Sequence, residues 1–281
     1  MDRVGPRALI VEGGALRGAF SCGVLDVFLE KDFSPFDSLW GVSSGATNVG
    51  AYQAKMPGRN HKIYTDYALR REFVRPWQFL RGGDLIDLDW MWEITLRELG
   101  IDHNAMQADG RPFYLVVTNQ STAEAEYHLA TPESLADTMK ASSALPGYYR
   151  NGVELNGQTY VDGGVADSIP VAKAIEQGAT QIMVIRSQPK SYRKPHTKTD
   201  FITNALLKSS PLVARRLNQR AHEYNATLDL IRNPPQGVKV LEVCPPEGLK
   251  LSRLSRSSAK VEASYQLGRT AALSAIEQWP S

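Results

Sequence analysis

Apolar residues along this chain fall into two alternating kinds of run. Ala8-Leu9-Ile10-Val11 is continuous and reads as a buried strand, cut off by Glu12-Gly13-Gly14-Ala15-Leu16-Arg17-Gly18. From there to about Lys31, Phe20, Val24, Val27 and Phe28 share one stripe of a helix. Ser34-Pro35-Phe36-Asp37 turns the chain into a second strand, Leu39-Trp40-Gly41-Val42, and beyond Gly45 the residues Ala46, Val49, Ala51 and Tyr52 return to helical spacing. Strand, glycine loop, helix, strand, tight turn and helix make the opening of a βαβα unit on a parallel sheet.

The alternation continues. Residues 59–74 read as a charged helical stretch. Trp77-Gln78-Phe79-Leu80 and the segment 85–92 carry three of the five tryptophans. A helix packing these aromatics into the core is the favoured reading; a cap whose apolar face covers a site is the other. Phe113-Tyr114-Leu115-Val116-Val117-Thr118 and Ala125-Glu126-Tyr127-His128-Leu129 read as strands joined by a polar hairpin. Thr131-Pro132-Glu133 opens a helix with proline at its first position, ending in Ala141-Ser142-Ser143-Ala144-Leu145-Pro146-Gly147. Asn151-Gly152 and Asn156-Gly157 bracket short strands that lead into Thr159-Tyr160-Val161-Asp162-Gly163-Gly164. Pro170 starts a helix that Gly178 stops, and Gln181-Ile182-Met183-Val184-Ile185 is another buried strand. Residues 186–198, with Pro189 and Pro195, read as an exposed basic loop. A helical region over 200–232, broken near Pro211, a strand over 238–243 and a helix over 257–279 complete the pattern. It predicts an α/β protein with a mostly parallel sheet covered on both faces. No repeat or linker divides it, so residues 1–281 are expected to form one domain, with a motif-bearing core over about 7–188 that 200–281 completes.

Composition narrows the function classes. With 281 residues and 42% hydrophobic content, a single large core is affordable. A net charge of +2 argues against a nucleic-acid footprint made by bulk charge. Cys22 and Cys244 have no metal-ligand spacing and are expected to be free buried thiols. Neither a secretory signal nor a bilayer-length apolar run is evident, so a cytoplasmic protein is expected, with at most peripheral contact at the inner membrane surface.

The chemistry begins at Gly41-Val42-Ser43-Ser44-Gly45. A strand running into G-x-S-x-G and out into a helix is the pattern of a nucleophile elbow, which lifts Ser43 clear of the sheet. Gly41 and Gly45, lacking Cβ, let strand and helix pass closely, and the Ser44 N–H is placed to face whatever Ser43 attacks. The upstream glycine loop has three functional readings. A dinucleotide fingerprint fits Gly13 and Gly18 but meets Ala15 at its third position, and a P-loop requires Lys where Ala19 follows Gly18. An oxyanion hole made by the Gly14 and Ala15 N–H groups survives the alanine. A purely structural turn is the alternative to all three. A serine nucleophile also needs a base. Of the five histidines (His61, His103, His128, His196, His222) only His196 follows a strand end, and Asp162, followed by Gly163-Gly164, is the stronger choice. Asp167 is its decoy. A free carboxylate with a pKa of about 3.9 is a weak base; burial would strengthen it.

Together, Gly13-Gly14-Ala15-Leu16-Arg17-Gly18, Gly41-Val42-Ser43-Ser44-Gly45, Asp162-Gly163-Gly164 and the segment Ala141 to Gly147 resemble the patatin-like phospholipases, in order and spacing, over the first two thirds of the chain. The family's loop usually reads G-G-G-x-[RK]-G, and its third glycine is Ala15 here. The resemblance implies a three-layer α/β/α fold and hydrolysis of lipid acyl esters by a Ser–Asp dyad, without metal, cofactor or histidine. By position, Ser43 is then the nucleophile, Asp162 the proton acceptor, and Gly13, Gly14 and Ala15 the oxyanion loop. Arg17 occupies the family's basic position, where a direct role and a surface ion pair are equally good readings.

A serine acyl hydrolase of phospholipid-like esters is therefore expected, with a lipid or fatty-acyl ester as partner. Two alternatives share the motifs: an inactive membrane-surface or regulatory binding protein, using basic residues 190–194 and Lys198 on anionic headgroups, and a thioesterase or acyltransferase using the same acyl-enzyme.

Overall fold

A computed structural model describes residues 4–196, 207, 210–249 and 251–280. Its centre is an eight-stranded mixed sheet made of β1 (Arg7–Val11), β2 (Ser38–Val42), β3 (Phe113–Asn119), β4 (Ala125–Leu129), β5 (Val153–Leu155), β6 (Gln158–Asp162), β7 (Gln181–Ile185) and β8 (Lys239–Val243). Hydrogen-bonded neighbours run β5-β6-β3-β2-β1-β7-β8, with β4 also on β3. The pairings among β3, β2, β1, β7 and β8 are parallel, and those of β4 and β6 with β3 and of β5 with β6 are antiparallel.

The helices are α1 (Gly18–Glu30), α2 (Ser44–Gln53), α3 (Arg59–Thr65), α4 (Pro76–Leu80), α5 (Leu88–Glu98), α6 (His103–Asp109), α7 (Leu135–Ser142), α8 (Val171–Glu176), α9 (Pro211–Arg232) and α10 (Ser258–Gln278). The continuous apolar strands are continuous because both faces are covered. Leu9 and Val11 of β1 pack with Phe20, Val49 and Ala272 under α1, α2 and α10. Ala8 and Ile10 face the other way, against Val171, Tyr224 and Leu228 of α8 and α9. This is the expected α/β architecture with three layers. Trp279, just past α10, closes one end edge-on against Phe36, ring centres 5.2 Å apart. Both cysteines are free; Cys22 is buried as expected, and Cys244 is only half-buried. Among the described residues no helix is long and apolar enough to cross a membrane.

The structure corrects several local expectations. The charged stretch 59–74 is not one helix: α3 stops at Thr65, and Val74 pairs antiparallel with Ile86. That bridge pinches off residues 75–85 as an excursion from the body, which leaves Trp77 79% and Leu80 74% exposed. Trp92 instead docks, its indole N–H donating to the Ala136 carbonyl at 2.8 Å. Core packing therefore holds for one half of the aromatic segment and fails for the other. Pro132 does not start a helix; Thr131 and Ser134 bond each other in a turn, and α7 begins at Leu135. The loop after β7 does not start exposed, because Arg186 and Ser187 are buried in a polar network. Residues 197–206, including Lys198 and the expected helical lead-in from residue 200, lie outside the described residues.

Candidate active site

Strand register brings the two candidate catalytic residues together. β4 pairs with β3 over Tyr114 to Thr118, so it occupies one whole edge of that strand. β2, paired with Phe113 to Val116, and β6, paired with Val117 to Asn119, must therefore share the other edge. β2 runs parallel to β3 and β6 antiparallel, so the two meet with their carboxyl ends facing. Val42 lies opposite Val116 and Asp162 opposite Val117. Ser43 follows directly on Val42, and Asp162 ends β6.

The turn at Ser43 is strained. Its φ of 54° and ψ of −128° form a combination that costs a non-glycine residue on the order of 1–3 kcal/mol. The surroundings hold it there. The Ser43 N–H donates to Ser142 Oγ at 2.8 Å, and that hydroxyl donates to the Val116 carbonyl at 2.6 Å. Close approach explains the flanking glycines: a Cβ on Gly41 would lie 2.5 Å from Ala46 Cα, and one on Gly45 2.3 Å from the Val11 carbonyl oxygen. Both are closer than real Cβ atoms come.

Asp162 is 3% exposed. Its N–H donates to the Ala144 carbonyl at 2.9 Å, so the segment holding Ser142 and Ala144 fastens both halves of the pair. One carboxylate oxygen accepts the Gly164 N–H at 2.7 Å. Burial raises the Asp162 pKa above the usual carboxylate range; the facing Ser43 hydroxyl, then Arg220 and the Gly164 N–H, pull it down without cancelling the rise. Gly163 and Gly164 serve proximity rather than a sharp bend, since neither has positive φ. A Cβ on Gly163 would lie 2.1 Å from the Val116 carbonyl oxygen. Asp167 lies elsewhere, accepting from Tyr127 Oη at 2.9 Å and the Ile169 N–H at 3.1 Å, with its pKa raised by burial to about 6.

The glycine loop sits against the elbow, with one correction to the expected donors. The Gly14 N–H is occupied, donating to Ser44 Oγ at 2.9 Å. Among the described residues the Gly13 and Ala15 N–H groups have no acceptor. Ala15 has φ of 50°, so alanine stands in a left-handed conformation at about 1–2 kcal/mol, which accounts for the glycine usual at this place. Gly18 is packed under Tyr64 Oη, 2.4 Å from where its Cβ would be. Among the described residues Arg17 makes no ion pair, and burial, then Arg253, lower its pKa.

Two cavities meet at Ser43. One is an apolar cleft of about 1060 Å³, counted with its open mouth, walled by Phe73, Leu88, Met91, Trp92, Met139 and Leu145. The other is a narrow polar recess lined by Gly13, Gly14, Asp162, Gly164, Arg220 and Arg253. Ala15, Ser43, Leu145 and Arg253 belong to both. No histidine lines the recess. His61 bonds Glu262 at 2.7 Å, His128 bonds Glu126 at 3.0 Å, His103 is exposed where it meets the apolar cleft, and His196 and His222 are exposed.

Sequence reasoning missed Ser142, Arg220, Arg253 and the polar network behind the loop. Glu12, 3% exposed, accepts from Tyr224 Oη at 2.8 Å and the Ser187 N–H at 2.7 Å. Arg186 is fully buried and donates to Glu242 at 2.9 Å and Tyr224 Oη at 3.1 Å. The only advance signal was spacing: Arg220 and Tyr224 stand four apart, on one helix face.

A three-layer α/β fold with a strained serine between a glycine loop and a buried aspartate defines a class, and the comparisons agree with it. Residues 9–175 match the model of the patatin-like phospholipases, and the chain belongs to that family. Residues 210–281 match a Domain of unknown function, DUF6363. The chain is 38% identical over 269 residues to the uncharacterized protein YjjU of Escherichia coli strain K12, covering 93% of this chain and 74% of that one. In fold it resembles the crystal structure of VipD from Legionella pneumophila, with TM-score 0.50 and 11% identity, covering 98% of this chain and 67% of that one.

Proposed function

We propose that this chain is a serine hydrolase of lipid acyl esters. The meeting of Ser43 and Asp162 on one edge of β3, where an apolar cleft joins a polar recess, carries the reading. The acyl chain lies in the cleft, which puts the ester carbonyl at Ser43. Ser43 Oγ attacks the carbonyl carbon while Asp162 takes its proton, and the Ala15 and Gly13 N–H groups stabilise the oxyanion. Asp162 returns the proton to the departing alcohol oxygen. Water, deprotonated by the same carboxylate, then releases the fatty acid. Residues 210–281 complete the same domain, since Ala272 and Ala275 pack in one core with Leu9 and Val11.

A fluorophosphonate probe tests this directly. Ser43 is expected to carry the label, identified by peptide mass, and heat-denatured protein is expected to remain unlabelled. Native protein with Ser43 unmodified would make the chain a binding module.

The exposed Trp77 and Leu80, on the excursion whose base helps wall the cleft, fit transient contact with a lipid surface. Replacing both with Ser is expected to lower the ratio of vesicle to monomeric-ester hydrolysis about tenfold or more. An unchanged ratio rules that contact out.

A further inference from the structure

Positive charge gathers on the recess side of Ser43, three guanidinium groups against the nearby carboxylates of Asp162 and Glu12. Arg220, on α9, and Arg253, in the segment before α10, line the recess beside Asp162. Gly164 makes the space for Arg220: its missing Cβ would lie 3.0 Å from both Arg220 Nη2 and Asp162 Oδ1. Among the described residues, Arg220 has one hydrogen bond, to Ser168 Oγ at 3.2 Å, and its buried Nε has no partner. Nor does the buried Nε of Arg17, on the oxyanion loop. None of Arg17, Arg220 or Arg253 is ion-paired with a described carboxylate. The nearby Glu12 is already engaged by Tyr224 and Ser187. The crowding shows on Lys194, held down to about 7 by burial and then by Arg220 and Arg253. A natural chain keeps uncompensated buried guanidinium donors where a ligand supplies the negative charge.

Direction follows from the two cavities. With the acyl chain in the apolar cleft and the carbonyl at Ser43, the alcohol half of the ester enters the recess. We propose that Arg220 and Arg253 bind a phosphate carried by that alcohol, so that the 210–281 region supplies the headgroup specificity of the site. The inference rests on the hydrolase reading above. The phosphate is bound and not transferred: the acyl C–O bond breaks, and Asp162 delivers the proton to the alcohol oxygen. No aromatic ring lines the recess to hold a trimethylammonium group, so a terminal phosphate monoester suits it better than a choline-capped diester.

The test compares a 1-acylglycerol 3-phosphate, the matching lysophosphatidylcholine and the neutral 1-acylglycerol, all of one medium chain length and below micelle formation. The wild-type protein is expected to favour the phosphate monoester over the neutral ester in kcat/KM by about tenfold or more. Arg220→Gln and Arg253→Gln should each remove most of that preference, chiefly through KM, and Arg→Lys should restore part of it. Glycerol 3-phosphate should inhibit the wild-type protein competitively, and more strongly than inorganic phosphate. That arm tests the subsite even where a Gln variant fails to fold. Equal kcat/KM for the charged and neutral esters, an intact preference in folded Gln variants, or no inhibition by glycerol 3-phosphate overturns the subsite while leaving the hydrolase standing. No turnover of any ester with Ser43 unlabelled overturns both.

Discussion

Ser43→Ala is expected to lower ester hydrolysis by about 10⁶-fold, to the level left by binding and oxyanion stabilisation alone. No second nucleophile can take over. Ser44, its neighbour, spends its hydroxyl on the Gly14 N–H, and Ser142 spends its own between the Ser43 N–H and the Val116 carbonyl. The φ of 54° at Ser43 is tolerated equally badly by alanine, so the variant keeps the same strain and should fold as the parent does. Release of p-nitrophenol from a medium-chain ester measures the effect. A residual rate within tenfold of wild type would move the nucleophile elsewhere.

Asp162→Asn separates catalysis from stability. Asparagine keeps an acceptor for the Gly164 N–H but cannot take a proton, so kcat is expected to fall by about 10²–10⁴-fold. Burial raises the Asp162 pKa in the folded protein. In the wild-type protein kcat/KM should therefore rise with pH along a limb set above the ordinary carboxylate value of about 3.9. Stability has the opposite sign. A carboxyl whose folded pKa is raised binds its proton more tightly when folded, so its contribution is full below the unfolded value and is lost as pH rises through the folded one. The asparagine variant escapes that loss. Its melting temperature should exceed that of the wild-type protein at pH 7.5 by more than at pH 4. Full activity in Asp162→Asn, or loss only in His196→Ala, would point to a histidine base; an equal thermal difference at the two pH values would mean the carboxylate is not burdened by burial.

Local pattern reached far into this site. The continuous run at Leu9 to Val11 declared a strand buried on both faces, and the glycines around Ser43 declared a close crossing, because each is a property of a few adjacent residues. Where several distant segments compete, it failed. Thr131-Pro132 carries good helix-start chemistry, yet Thr131 and Ser134 satisfy one another in a turn. Nothing near Val74 announces its pairing with Ile86, and Trp77 stands exposed on the excursion that this pairing closes. At Ala15 the pattern marked a loop beside Ser43 but not which of its N–H groups stay free, since the occupied Gly14 N–H depends on where the Ser44 side chain lies.

By itself the sequence determined the α/β class and the strand-to-helix turn at Ser43, and it singled out the glycine loop and Asp162 as candidates, because chain geometry and glycine content are local and so is the spacing of motifs. Only the tertiary structure decided that β2 and β6 meet end to end on β3, that Ser142 and Ala144 fasten the pair, and that Arg220 and Arg253 arrive from the last third of the chain. Those facts depend on strand register and on the packing of α9 and the segment before α10, which join residues tens to hundreds of positions apart and leave no periodicity to read.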